Sequence, residues 1–196
     1  MKKLLALLSV CLICAGASAS EAEIRQVFDN IKKHTLDFRM LPVVQYYTPD
    51  AVCHSADGRK FDYQTLKKFA RASDMVAHSD ASFSEIMAAA YELRGKSVTP
   101  EQLAQFKELE KSEIGQTLLT QFRSAAKKNL AKMKPKVQAV VDSFTFKSIQ
   151  ITGDKATVIY CEKDLMSGKL KEIICSMVKR NGKWMISGET GRFIGK

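Results

Sequence analysis

The sequence predicts an α+β domain in which helices come first and an antiparallel β-meander follows. Through much of residues 21–141 the apolar residues recur at helical spacing, whereas after Asp142 they alternate as strands do. The alternating stretch is punctuated by Gly153-Asp154, Ser167-Gly168 and Asn181-Gly182. Gly-Asp and Asn-Gly suit two-residue hairpin turns, whose central positions take positive φ.

The 196-residue chain opens MKKLLALLSVCLICAGASAS. Lys2 and Lys3, an apolar run and Ala17-Ser18-Ala19 come in the order of a secretory signal peptide. Cleavage is expected after Ala19, delivering a periplasmic or secreted chain of 177 residues that forms one domain over 20–196. The apolar run is shorter than the roughly 20 residues that span a bilayer. Cys11 and Cys14 lack the small preceding residue of lipoprotein processing sites, so no lipid anchor is expected. A chain of this size buries about 70% of its unfolded surface, which makes disulfides optional for stability. The formal charge of +10 falls to +8 when Lys2 and Lys3 leave. That balance suits anionic surfaces. The lysines are scattered, however, and no aromatic–basic motif appears, so neither nucleic acid nor a stable membrane anchor is expected.

Ile24, Val27, Phe28 and Ile31 form the stripe of an amphipathic helix over residues 21–35. Pro42 suits the first turn of a second, short helix, which Thr48-Pro49-Asp50 breaks. AVCHS and RKF read as strands joined by an Ala56-Asp57-Gly58 turn, and Asp62 caps the helix YQTLKKFARA. Residues 74–141 read as helical throughout. Gly95 stops one helix there, and Thr99-Pro100-Glu101-Gln102 opens another with a capping box. Gly115 is expected at a bend and Pro135 at an end or kink. The meander follows over about residues 144–189. In its first strand Phe144 and Phe146 hold one phase while Ile149 and Ile151 hold the other, which requires a bulge near Lys147-Ser148.

YYTPDAVCHSADGRKFDYQTLKKFA resembles the aspartate, strand, Asp-Gly turn and capped helix of the NTF2-like (cystatin-like, cone-shaped) superfamily. VKRNGKWMIS resembles that family's closing hairpin. The likeness covers residues 21–71 and 144–189, and it implies N-terminal helices packed on a strongly curved antiparallel sheet. The family passes almost directly from its third helix to the meander, so residues 74–141 read as a helical insertion. Within them TPEQLAQFKELEKSEIGQTLL resembles a helical segment of secreted bacterial proteins.

The mature cysteines are Cys53, Cys161 and Cys175. A three-residue Ser167-Gly168-Lys169 loop would set Cys161 opposite Cys175, in reach of a disulfide; a two-residue loop would set Ile174 there instead. A bridge to Cys53 and free buried thiols are the alternatives. No CxxC or HExxH occurs, and Cys53-His54 point to opposite faces of a strand, so neither a metal nor a cofactor is expected.

Enzymes of the resembled superfamily work inside the cone, where apolar walls shift the pKa values of acids and histidines. Tyr46, Tyr47, His54, Asp57, Tyr63, Tyr160 and Glu162 are the polar groups available to line it. His54 is the general-base candidate, with Tyr63 or Tyr160 as proton donor. Cys53, Met177 and Trp184 join Tyr46 and Tyr47 as pocket candidates, although core packing also explains Met177 and Trp184. Two functions compete. One is non-catalytic binding of a small apolar or amphipathic ligand, or of a protein partner, a second copy of the chain included, through the cone, sheet or insertion. The other is a small isomerase, dehydratase or cyclase using His54 and a tyrosine.

Overall fold

The computed structural model describes residues 2–78 and 81–195, with side chains from Ala19 onward. The expected signal peptide, with Cys11 and Cys14, thus lies outside the described side chains apart from Ala19. No helix among the described residues is long and apolar enough to cross a membrane.

Among the described residues six helices accompany a six-stranded sheet, in the α+β class that the sequence predicts. The helices are α1 (Lys2–Leu36), α2 (Met40–Val44), α3 (Tyr63–Ala77), α4 (Phe83–Leu93), α5 (Pro100–Lys111) and α6 (Glu113–Asp142). The strands are β1 (Tyr47–His54), β2 (Lys60–Asp62), β3 (Thr145–Thr152), β4 (Lys155–Lys163), β5 (Leu170–Arg180) and β6 (Lys183–Phe193), in the spatial order β2-β1-β6-β5-β4-β3. Every pairing is antiparallel except β1 with β6, which makes the sheet mixed. The parallel pair joins the N-terminal strand to the last one, a contact that no local turn encodes.

The helix boundaries follow local chemistry. Asp62 accepts from Thr65 N at 2.7 Å and starts α3. Ser82 with Glu85, and Thr99 with Gln102, close reciprocal capping boxes at α4 and α5. From α3, the Asp74 carboxylate accepts from Met40 N and Leu41 N, which ties down the start of α2.

Two helical expectations need correction. Pro135 does not end the helix: it lies exposed inside α6, which runs on to Asp142. The break expected at Gly115 falls instead at Ser112, whose hydroxyl caps α6 by accepting from Gly115 N at 3.1 Å. At Gly115 the start of α6 lies tight against the end of α5: a side chain there would collide with the Leu109 carbonyl.

The predicted stripe of α1 forms the core. Ile24, Val27 and Phe28 pack on Val158, Tyr160, Ile173, Cys175, Met177, Trp184 and Ile186 of the sheet. Gly153-Asp154 and Asn181-Gly182 form the two-residue turns, with Asn181, Gly153 and Gly182 at positive φ. The expected β3 bulge lies between Phe146 and Ser148. A second shift in register, between Ser176 and Met177 of β5, leaves Ser187 of β6 as the extra residue.

The β4–β5 hairpin departs from both loop lengths considered. Its last pair is Lys163 with Leu170, so six residues form the loop. Asp164 organises them, its Oδ1 accepting from Met166 N, Ser167 N and Ser167 Oγ. Cys161 consequently pairs with Glu172, and Cys175 with Val158. The two cysteines point to opposite faces and form no disulfide; with Cys53 they are free, buried thiols.

Candidate functional site around Glu189

A single row of residues crosses the inner face of the sheet: Ile149, Val158, Cys175, Glu189, Cys53 and Phe61. Glu189 is the one charged member. Its inward aim follows from the extra residue at Ser187. Trp184 and Ile186 face the core, so strict alternation would turn Gly188 inward and Glu189 outward; the bulge exchanges them.

Two phenols meet this carboxylate. Tyr47 Oη donates to Glu189 Oε2 at 2.8 Å, and Tyr160 Oη donates to Oε1 at 2.8 Å. Burial, reinforced by the negative charge of Glu189, holds both phenols well above the ordinary tyrosine range, so they stay protonated and keep donating. Cys53 Sγ lies 3.8 Å from Glu189 Oε2, and burial followed by the same charge pushes its thiol up to about 12. Cys175 is driven upward for the same reasons.

Glu189 lines two cavities. One, of about 60 Å³, lies between the sheet, α1 and the end of α6; Phe28, Phe144, Tyr47, Tyr160, Val140 and Val141 are among its walls. The other, of about 130 Å³, is lined by Cys53, His54, Phe61, Lys171, Ile173 and Gly191 among others. Gly191 follows Glu189 on the inner face of β6, and its missing side chain lets Ala56 approach closely: a Cβ there would lie 3.2 Å from Ala56 N. At the rim the inward pair Glu162 and Lys171 forms a 3.1 Å ion pair with each side chain about one-fifth exposed. Burial raises the Glu162 carboxyl despite the attraction of Lys171.

The predicted site residues divide. Tyr47, Cys53, Tyr160 and Glu162 converge on the cavities. His54 also lines the larger cavity, but it pairs with Thr190, is exposed, and makes no side-chain hydrogen bond among the described residues. Tyr63 opens α3 and lines neither cavity. Tyr46 packs against the core and its carbonyl accepts from Ile186 N. Met177 is buried in the core, as is Trp184, whose indole donates to Glu23 at 3.1 Å. Asp57 is a turn former, accepting from Ser55 and from the Arg59 side chain. Glu189 itself escaped the sequence reading, because its orientation depends on the bulge. The signal available was a lone acid in SGETG, within the last strand. No group of three or more metal-ligating side chains occurs among the described residues.

No protein-family model and no curated protein sequence matches the chain. Among solved structures the chain is similar to an NTF-2 like protein of unknown function from Silicibacter pomeroyi, at 10% identity and TM-score 0.46, covering 91% of this chain and 98% of that one. It is similar to an NTF2-like protein of unknown function from Pseudomonas putida, at 12% identity and TM-score 0.45, covering 89% and 87%. A ketosteroid isomerase-like protein from Erwinia carotovora atroseptica is similar at 12% identity and TM-score 0.39, covering 89% and 96%. These likenesses concern the course of the backbone, and in that respect the chain is similar to NTF2-like proteins.

Proposed function

We propose that the protein binds, without transforming it, a small amphipathic molecule whose polar end meets Glu189 and whose apolar part rests on the aromatic and aliphatic walls around it. The observation that carries this reading is the doubly hydrogen-bonded carboxylate on an otherwise apolar inner face. The two phenols fix both oxygens of Glu189 in place, which makes it a well-oriented recognition group. Its remaining lone pairs stay available to a ligand.

The competing enzymatic reading rests on His54, which is exposed and unpaired among the described residues, and on Tyr160, whose proton is committed to Glu189. Less supports it. Native mass spectrometry of the protein from its own source, compared with the denatured mass, tests the binding reading. A bound small molecule lost on denaturation, and depleted in Glu189→Leu, is expected. A bare polypeptide, or an adduct that Glu189→Leu retains in full, overturns it; a doubled mass without adduct favours a self-association role instead.

We also propose export, supported by the block order of residues 1–19. Terminal sequencing of the protein from its source is expected to begin at Ser20, and an intact Met1 refutes the idea.

A further inference from the structure

Part of the lysines scattered along the sequence are gathered by α6. Between Glu113 and Asp142 this helix has no acidic residue, yet it carries Arg123, Lys127, Lys128, Lys132, Lys134 and Lys136, all exposed. None of the six enters an ion pair among the described residues. Arg123 alone has a side-chain hydrogen bond there, donating to the Ala81 carbonyl at 3.3 Å. Lys128, Lys132 and Lys136 follow at intervals of four residues, so they form one ridge, about 6 Å apart along the axis. Like charges at this spacing repel and destabilise a helix. The ordinary relief, an acid three or four residues away, is absent from the ridge, and an external anion would supply it.

The same side of the helix carries an exposed apolar pair. Ile114 and Leu118 are 67% and 42% exposed. Eighteen residues, or five turns, separate Ile114 from Lys132 and Leu118 from Lys136, so each pair shares one direction from the axis. The buried positions of α6, Gly115, Leu119, Ala126 and Val137, lie roughly 120° round the helix from them. One side thus presents two aliphatic side chains and then three ammonium groups over about 33 Å, with the uncharged Gln121 and Ala125 between. That order suits the surface of an anionic bilayer, where lysines meet headgroup phosphates and aliphatic side chains enter the acyl boundary. A nucleic acid fits less well. It offers the aliphatic pair nothing, and Phe122, the one aromatic residue of α6, is half-buried rather than open to stack on a base.

We propose that this side of α6 docks the protein reversibly on anionic phospholipid surfaces. The contact is peripheral and needs no spanning helix, and it is independent of the binding function proposed above.

Cosedimentation of the protein from its source with lipid vesicles tests the docking. Vesicles of phosphatidylcholine alone are compared with vesicles containing about one-third phosphatidylglycerol. The protein is expected to bind the anionic vesicles at least about tenfold more tightly, and the difference is expected to shrink as salt is raised. Lys128→Gln/Lys132→Gln/Lys136→Gln is expected to lose about a hundredfold, each lysine near an anionic surface being worth roughly fivefold. Lys127→Gln/Lys134→Gln, on the other flank of the buried stripe, is expected to lose less per lysine. Ile114→Ser/Leu118→Ser is expected to weaken the same binding several-fold, and it carries the test should the triple variant fold poorly by its urea midpoint. Any contribution of residues 1–19 is common to all these chains. Equal binding to the two kinds of vesicle overturns the proposal, as does full retention by the folded variants or an equal loss per lysine from the other flank. Tighter binding to a single-stranded oligonucleotide, unaffected by Ile114→Ser/Leu118→Ser, overturns the lipid assignment in favour of a nucleic acid.

Discussion

The Tyr160 phenol donates to Glu189 Oε1 at 2.8 Å, although β5 runs between the two strands that carry them. Tyr160 pairs with Ile173, and Ile173 with Gly191, so the row of the phenol carries no side chain on β6. Glu189 lies one inward position away, and the phenol reaches it diagonally.

From this follows the effect of removing either hydroxyl. Tyr160→Phe and Tyr47→Phe each delete a hydrogen bond to a charged acceptor, expected to cost about 1.5–3 kcal/mol in urea unfolding. The two losses share Glu189, so the double variant is expected to depart from additivity. Additive losses, or losses near zero, would show that the network does not hold the fold.

Glu162 gives the protein a pH dependence of its own. Its folded carboxyl is raised above the ordinary 4.5, chiefly by burial. Between the unfolded and the raised value the folded state holds more protons than the unfolded one, so stability falls as pH rises through that window. Glu162→Gln removes this contribution. Subtracting the variant's stability-versus-pH curve from the wild-type curve is expected to leave a decline beginning above about pH 4.5. A flat or rising difference refutes it.

Thiol chemistry reports the sheet register. Cys53 and Cys175 are buried beside Glu189, with Cys53 pushed up to about 12 and Cys175 also raised. Thiolate is the reactive form. Iodoacetamide at pH 8 is expected to leave both unmodified in the folded protein and to label all three mature cysteines in urea. Rapid labelling of Cys53 in the folded state, or a Cys161–Cys175 bridge in the intact mass, would contradict the register.

Gly115 is expected to be intolerant of any side chain. A Cβ there meets the Leu109 carbonyl, a backbone atom that cannot swing aside. Gly115→Ala is expected to destabilise by about 1–3 kcal/mol through the shift it forces between α5 and α6. Gly153→Ala is the contrast, since open space surrounds its Cβ and only its positive φ opposes the change. Equal melting temperatures for Gly115→Ala and wild type would remove the packing argument.

Local chemistry determined which elements exist. Ser112 apart, the capping signals at Asp62 and Thr99, the apolar stripe of α1, the Gly153-Asp154 and Asn181-Gly182 turns and the β3 bulge all lie within a few residues of the structure they specify. Such signals act over one turn of helix or one hairpin, so they are readable in sequence. The NTF2-like resemblance likewise implied helices packed on a sheet, which the chain has. Much of the site was legible too: Tyr47, Cys53, Tyr160 and Glu162 were candidates before any coordinates.

Only the tertiary structure decided how these pieces address one another. The parallel pairing of β1 with β6 brings Tyr47 and Cys53 to Glu189 across more than 130 positions of chain. The extra residue at Ser187 turns Glu189 inward, and the six-residue loop ordered by Asp164 sets Cys161 away from Cys175. Each of these rests on register, where a shift of one residue reverses every side chain downstream. Register is settled by the packing of the whole sheet against α1 and α6, and no short stretch of sequence contains that information.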